Sequence, residues 1–302
     1  MKSSATQYHG RPHRCITMKR ILVTGSNGFV GGHILRRVKH HGYAVFGCGR
    51  GINRHLDVPY LKADLAEGIE TDVEFDMIIH AAALSPSPET TFEGYFADNV
   101  LGTRNVIDLA RRTGVKKIIY LSSVSSFGNV DKILRESSPH NDPGDYGLTK
   151  YVAERSIRDS GLDHDVYILP GVVGERCHSS YIFRLAEALR LGRDVHCYNS
   201  EGMFNNVLLV SDLCDFMIQR LEDGSRGDVF LLGCAGQMRI RDLVFALADE
   251  LDSTSKIEFD PEPRGAFVLD IQKAIASGFV PTPLEKIVTI VCSEIRRRIP
   301  AP

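Results

Sequence analysis

Lys19-Arg20-Ile21-Leu22-Val23-Thr24-Gly25-Ser26-Asn27-Gly28-Phe29-Val30-Gly31 decides the fold. Residues 19–24 are short, apolar and rich in β-branched side chains, the pattern of a buried strand. The glycines that follow form G-x-x-G-x-x-G and lead into a helical pattern. Gly25 permits a tight turn, Gly28 lets backbone approach a pyrophosphate at the helix N-terminus, and Gly31 lets helix pack on strand. A glycine-rich turn with no ligand could share the triplet. Its place at the opening of the first βαβ unit favours a dinucleotide, so Gly25, Asn27, Gly28, Phe29, Val30 and Gly31 are candidate cofactor contacts.

Working outward, strand and helix patterns alternate. The first helix runs to about His40, with Gly42 as its C-terminal stop. Strands are expected over residues 43–48, 60–63, 76–81, 117–122 and 166–169, and helices over 93–112 and 145–160. This alternation predicts an α/β fold with a doubly wound parallel sheet of Rossmann type. After Pro170 the pattern loosens. Helices are expected over 181–190, 212–221 (capped by Ser211), 239–251 and 284–298, and strands over 206–210 and 228–232. The domain reading is a disordered tail at 1–17, a dinucleotide-binding domain at 18–170, and a smaller C-terminal substrate lobe at 171–302, partly threaded back into the main sheet.

Composition sets limits. The 302 residues are 43% hydrophobic, enough for one large α/β domain or a main domain with an appendage. A net charge of −2 supplies no field that would attract nucleic acid or an anionic membrane. No apolar run is long enough to span a bilayer. Residues 1–17 are polar and aperiodic and lack the apolar centre of a secretory signal. The seven cysteines are scattered, with no C-x-x-C pair, and read as reduced thiols of a cytoplasmic protein with no metal site.

Cofactor choice turns on the end of the second strand, Gly47-Cys48-Gly49-Arg50-Gly51. NAD enzymes normally place a carboxylate there for the ribose 2′-hydroxyl. Gly49 holds that slot and Arg50 follows, a pairing suited to a 2′-phosphate. NADP is therefore expected ahead of NAD, with a solvated loop arginine as the other reading. Tyr146-Gly147-Leu148-Thr149-Lys150 gives Y-x-x-x-K at a helix start, which puts both side chains on one face. A nearby ammonium lowers a phenol's pKa and fits Tyr146 for proton transfer, while Lys150 holds the nicotinamide ribose. Ser122 and Ser123 close the fifth strand, at the sheet edge where ligands of such folds bind. A hydroxyl there can position a substrate oxygen; a helix cap is the plainer role.

These residues resemble the extended short-chain dehydrogenase/reductase family, in its NAD-dependent epimerase/dehydratase branch acting on nucleotide sugars. The resemblance runs from Lys19 to about Ile295. The glycine turn matches. Asp64-Leu65 matches the pair that holds the adenine, and His80-Ala81-Ala82-Ala83 the strand lining the cofactor. Asn99 with Gly102-Thr103 matches N-x-x-G-T. Leu121-Ser122-Ser123-Val124-Ser125-Ser126-Phe127-Gly128 matches S-S-x-x-x-Y-G with Phe127 replacing tyrosine. The resemblance implies cofactor contacts from Asp64, Leu65, Ala81, Ala82, Ala83, Asn99, Ser122, Tyr146, Lys150 and Pro170. It also implies Ser123, Tyr146 and Lys150 as catalytic residues and a homodimer through the helices from Glu93 and Asp145. Two family residues that contact substrate are replaced: Leu169-Pro170-Gly171-Val172-Val173-Gly174 lacks an asparagine, and Asn205 stands where an arginine often lies. Val124-Ser125 replaces the acidic residues of a dehydratase.

The expected function is NADP-dependent reduction of a keto group on a nucleotide-activated sugar. The alternatives are a nucleotide-sugar 4-epimerase that retains NAD, a reductase of a non-sugar ketone, and a non-catalytic dinucleotide sensor.

Overall fold

A computed structural model describes residues 18–55, 57–223, 227–260 and 266–300. The tail expected at 1–17, with Cys15, lies outside the described residues. Strands β1 (Arg20–Thr24), β2 (Ala44–Gly49), β3 (Tyr60–Lys62), β4 (Met77–His80) and β5 (Lys117–Ser123) follow one another along the chain. β6 (Lys132–Leu134) stands apart, and β7 (Asp163–Leu169) returns to the main sheet. The sheet is seven-stranded and parallel, in the order Asp228–Leu231, β7, β5, β4, β1, β2, β3. The order doubles back at β1 and β4, which is the Rossmann winding. All four residues of β4 and the first six of β5 are buried, because helices cover both faces of a parallel sheet.

Helix α1 (Phe29–His40) buries Gly31, Gly32, Ile34, Leu35 and Val38, and Gly42 takes the left-handed φ of +83° just past its end. The helix expected over 93–112 is interrupted. It comprises α2 (Phe92–Tyr95), a π-helical stretch (Phe96–Leu101) and α3 (Gly102–Arg112). The Thr103 hydroxyl donates to the Asn99 carbonyl at 2.6 Å, while the Asn99 side chain accepts from the Leu84 N–H at 2.8 Å. These contacts tie the π stretch to the loop after β4 and to the start of α3. Helix α4 (Gly144–Arg158) carries Tyr146 and Lys150.

In the later part of the chain, helices α5 (Tyr181–Arg190), α6 (Val210–Glu222), α7 (Ile240–Glu250), α8 (Gln272–Ala276) and α9 (Leu284–Arg298) alternate with short strands. The strand expected over 206–210 is Val207–Leu209 and pairs with Gly171–Val173, outside the main sheet. Ser211 is not the cap of α6. Leu209 holds that position with no side-chain cap, and Ser211 already lies inside the helix. Strand Asp228–Leu231 pairs with β7 at the sheet edge. One apolar core surrounds that sheet and takes in α6, Leu269, Ile271 and Phe279. A second core forms between α5, α7 and α9.

β7 begins earlier than expected, at Asp163. Asp165 is fully buried, with Lys117 Nζ at 2.7 Å and Arg220 Nη2 at 3.4 Å, and it accepts from the Asp228 N–H at 3.2 Å. The pairing lets a carboxylate occupy a buried strand. Among the described residues no helix is long and apolar enough to cross a membrane, and no cluster could hold a metal ion. The six described cysteines are buried and free.

Candidate active site

The glycine turn has no room for side chains. Gly25 has φ +67°, and a Cβ on it would lie 2.7 Å from Ala82 Cα. A Cβ on Gly31 would lie 2.3 Å from the Gly25 carbonyl oxygen, which is why α1 can pack against β1. The first turn of α1 carries no acidic residue and no side-chain cap, so its N–H groups stay available to an anion. Beside it opens a cleft of about 540 Å³ lined by Gly25, Asn27, Gly28, Gly49, Arg50, Arg54, Asp64, Leu65, Ala83 and Asp98, among others. Its size and its glycine wall fit the adenosine and pyrophosphate of a dinucleotide.

The remaining expected cofactor residues are not among those that line this cleft. Phe29, Val30 and Gly31 form the first turn of α1, Ala81 and Ala82 pack on Gly25, and Pro170 is buried just after β7. Asn27 has a role the sequence did not suggest. Its amide nitrogen donates to the Ile52 carbonyl and the Tyr60 hydroxyl, both at 2.9 Å, and its oxygen accepts from the Arg54 N–H at 3.1 Å. The side chain stitches the loop after β2 onto the phosphate turn and leaves ligand contact to its backbone. Asn99 and Ser122 are likewise spent within the protein. Asn99 donates to the Thr149 hydroxyl at 3.2 Å and Ser122 to the Glu154 carboxylate at 2.8 Å.

The catalytic candidates converge. Ser123 ends β5, and its oxygen accepts from the Ser125 N–H at 3.2 Å, so it also caps the following turn. Its hydroxyl lies close enough to the Tyr146 phenol to lower the pKa of that phenol. A Cβ on Gly147 would lie 2.1 Å from the Ser125 carbonyl oxygen, so the absent side chain lets α4 approach the serine turn. Gly147→Ala is therefore expected to part Ser123 from Tyr146. Turnover should fall at least about tenfold while dinucleotide affinity holds. Unchanged kcat would refute that link.

Lys150 follows Tyr146 by one turn of α4 and is buried. Its ammonium donates to the Leu121 carbonyl at 2.7 Å and sits 4.3 Å from the centre of the Tyr120 ring. Within the protein alone the Tyr146 phenol is raised rather than lowered. Burial raises the phenol, the Ser123 hydroxyl lowers it, and Tyr95, whose ring is 5.8 Å away, raises it further. Burial instead drives Lys150 down from 10.5 to about 7, against the pull of Glu154. Between those two values the unfolded chain holds a proton that the folded chain releases, so stability attributable to this lysine rises with pH. The melting temperature of the wild type relative to Lys150→Met should therefore climb from about pH 7 to about pH 10. A flat difference across that window would contradict the burial of this amine.

Behind these groups runs a buried polar chain. The Ala82 N–H donates to the Thr24 oxygen (3.2 Å), the Thr24 hydroxyl reaches His80 Nδ1 (2.8 Å), and His80 Nε2 reaches the Thr103 hydroxyl (2.9 Å). Because the Thr103 proton is given to the Asn99 carbonyl, His80 must carry its own proton on Nε2. Burial lowers His80 to about 3, so it stays neutral at physiological pH. This chain joins the strand beside the glycine turn to the π stretch facing α4. Tyr95 and Glu154, neither singled out from sequence, complete the surroundings. Glu154 follows Lys150 by one helical turn, a spacing that could have flagged it. Asn205, in the slot where the resemblance implies a substrate-binding arginine, is buried. It brackets Leu269, donating to its carbonyl at 2.9 Å and accepting from its N–H at 2.7 Å.

Fold and site together define an NAD(P)-dependent enzyme on a Rossmann sheet. The chain belongs to the NAD dependent epimerase/dehydratase family, whose pattern matches residues 21–233. It is 26% identical over 275 residues to the UDP-glucose 4-epimerase of Mycolicibacterium smegmatis, covering 82% of this chain and 87% of that protein. Among solved structures it resembles UDP-glucuronic acid 4-epimerase from Bacillus cereus in complex with NAD, with a TM-score of 0.80 at 20% identity over 93% of this chain and 99% of that one. It also resembles MoeE5 in complex with UDP-glucose and NAD, with a TM-score of 0.79 at 23% identity over 92% of this chain and 99% of that one.

Proposed function

We propose that the chain is a nucleotide-sugar 4-epimerase, a reading that displaces the reductase expected from sequence. The observation that carries it is the placement of Ser123 at the carboxyl end of β5, with Tyr146 and the buried Lys150 one helical turn apart on α4, the Lys150 ammonium 2.7 Å from the Leu121 carbonyl of the same strand. The similarity to enzymes acting on UDP-sugars adds support. A bound NAD would accept a hydride from the sugar carbon and return it. Tyr146 takes the proton of the sugar hydroxyl and gives it back, and Ser123 hydrogen-bonds the same oxygen and holds it in line. Lys150, one helical turn from Tyr146, would hold the nicotinamide ribose and supply positive charge when the phenol ionises. The test is incubation with UDP-glucose or UDP-galactose without added dinucleotide, followed by NMR of the products. Interconversion of the 4-epimers with no net change in NADH supports the reading.

The second reading, an NADPH-dependent reductase of a keto-sugar, is favoured by Gly49 and Arg50 at the end of β2. Stoichiometric NADPH consumption with a keto-sugar, and no epimerisation, would establish it instead. For assembly we propose a homodimer across α2, the π stretch and α4. Phe92, Phe96, Leu101 and Leu148 stay 37–40% exposed there, and solution scattering reads the mass.

A further inference from the structure

The geometry points to the Arg50–Asp98 pair as the element that decides between NADP and NAD. The inference rests on the dinucleotide occupying the cleft described above. Arg50, although exposed, is already paired with carboxylates. Its Nη1 donates to Asp98 Oδ1 at 3.4 Å and its Nη2 lies 3.1 Å from Oδ2, a fork-to-fork arrangement, with Asp64 Oδ2 3.8 Å from Nη1. Arg50 is 59% exposed and Asp98 only 18%, so the carboxylate is the fixed member and the guanidinium the movable one. Both line the cleft, together with Asp64 and Arg54, whose backbone N–H Asn27 holds.

Two consequences follow from charge. The end of β2 offers Gly49 where a carboxylate would receive a ribose 2′-hydroxyl, and Asp98 brings a carboxylate into the same cleft from the π stretch. A 2′-hydroxyl can donate to Asp98 while Arg50 stays paired. A 2′-phosphate carries close to two negative charges and must draw Arg50 away from Asp98, leaving the carboxylate facing an anion. Asp98 thus works for NAD and against NADP, and Arg50 works the other way. The four charged residues lining the cleft, Arg50, Arg54, Asp64 and Asp98, balance in sign, so removing one member tips the preference.

The experiment measures dissociation constants of NADH and NADPH by cofactor fluorescence for the full chain, Asp98→Asn and Arg50→Gln. The ratio of the two constants within each variant is the readout, because a variant that merely loosens the fold weakens both cofactors together. Asp98→Asn should shift the ratio toward NADPH by about tenfold or more, and Arg50→Gln toward NADH by a similar factor. A ratio that moves less than about twofold in both variants overturns the inference and leaves the dinucleotide site standing. Failure of the wild type to bind either dinucleotide overturns both.

Discussion

Replacing Tyr146 with phenylalanine is expected to lower turnover of a UDP-hexose by about 10²–10⁴-fold while leaving dinucleotide binding within about twofold. The substitution removes only the oxygen that Ser123 contacts and keeps the ring that packs edge-on against Tyr95. Nothing in the glycine cleft changes, since Tyr146 lies outside it. The split between lost turnover and retained binding separates proton transfer from a packing role. A packing role would predict little loss, because the ring remains. Activity within tenfold of wild type would mean the phenol does not exchange the substrate proton.

The second large effect concerns stability. Asp165→Ala should destabilise the protein by about 3–5 kcal/mol, because it strips a shared carboxylate from Lys117 and Arg220, both themselves buried. The same carboxylate accepts the first backbone N–H of strand Asp228–Leu231, so the edge where the chain rejoins the sheet should loosen first. Chemical denaturation reads the total, and hydrogen exchange at Val229 to Leu231 reads the locality. Replacing all three charged side chains with apolar ones of similar volume should recover much of the loss, since the charges must be desolvated in the native state. A loss below about 1 kcal/mol in the single variant would show that water reaches this cluster.

What the sequence made legible was local. The glycine turn, the Y-x-x-x-K helix and the serines closing β5 are each set by short spacings, and the structure places Tyr146 and Lys150 on α4 and Ser123 at the end of β5. Helix α9 starts and ends where its apolar period says it should. What escaped depended on partners far along the chain. The start of β7 was hidden because Asp163, His164 and Asp165 read as polar, and only Lys117 and Arg220 make a charge tolerable there. The π stretch was hidden because the apolar period there reads as a plain helix, and the bonds of the Asn99 side chain to Leu84 come from a loop with no helical signal. Arg50 was legible as a cation at the right place, yet its partners Asp64 and Asp98 come from other elements. Asn27 was legible as part of the phosphate turn, but the bonds of its side chain to Ile52 and Tyr60 depend on residues well along the chain.

The most direct measurement is a crystal structure of the protein with NAD and a UDP-hexose bound. The account predicts the pyrophosphate on Gly25 and Gly28 and the Tyr146 hydroxyl about 3 Å from the sugar 4-oxygen, with Ser123 on the same atom. A dinucleotide seated elsewhere, or a phenol more than about 6 Å from any sugar oxygen in the closed complex, would contradict it.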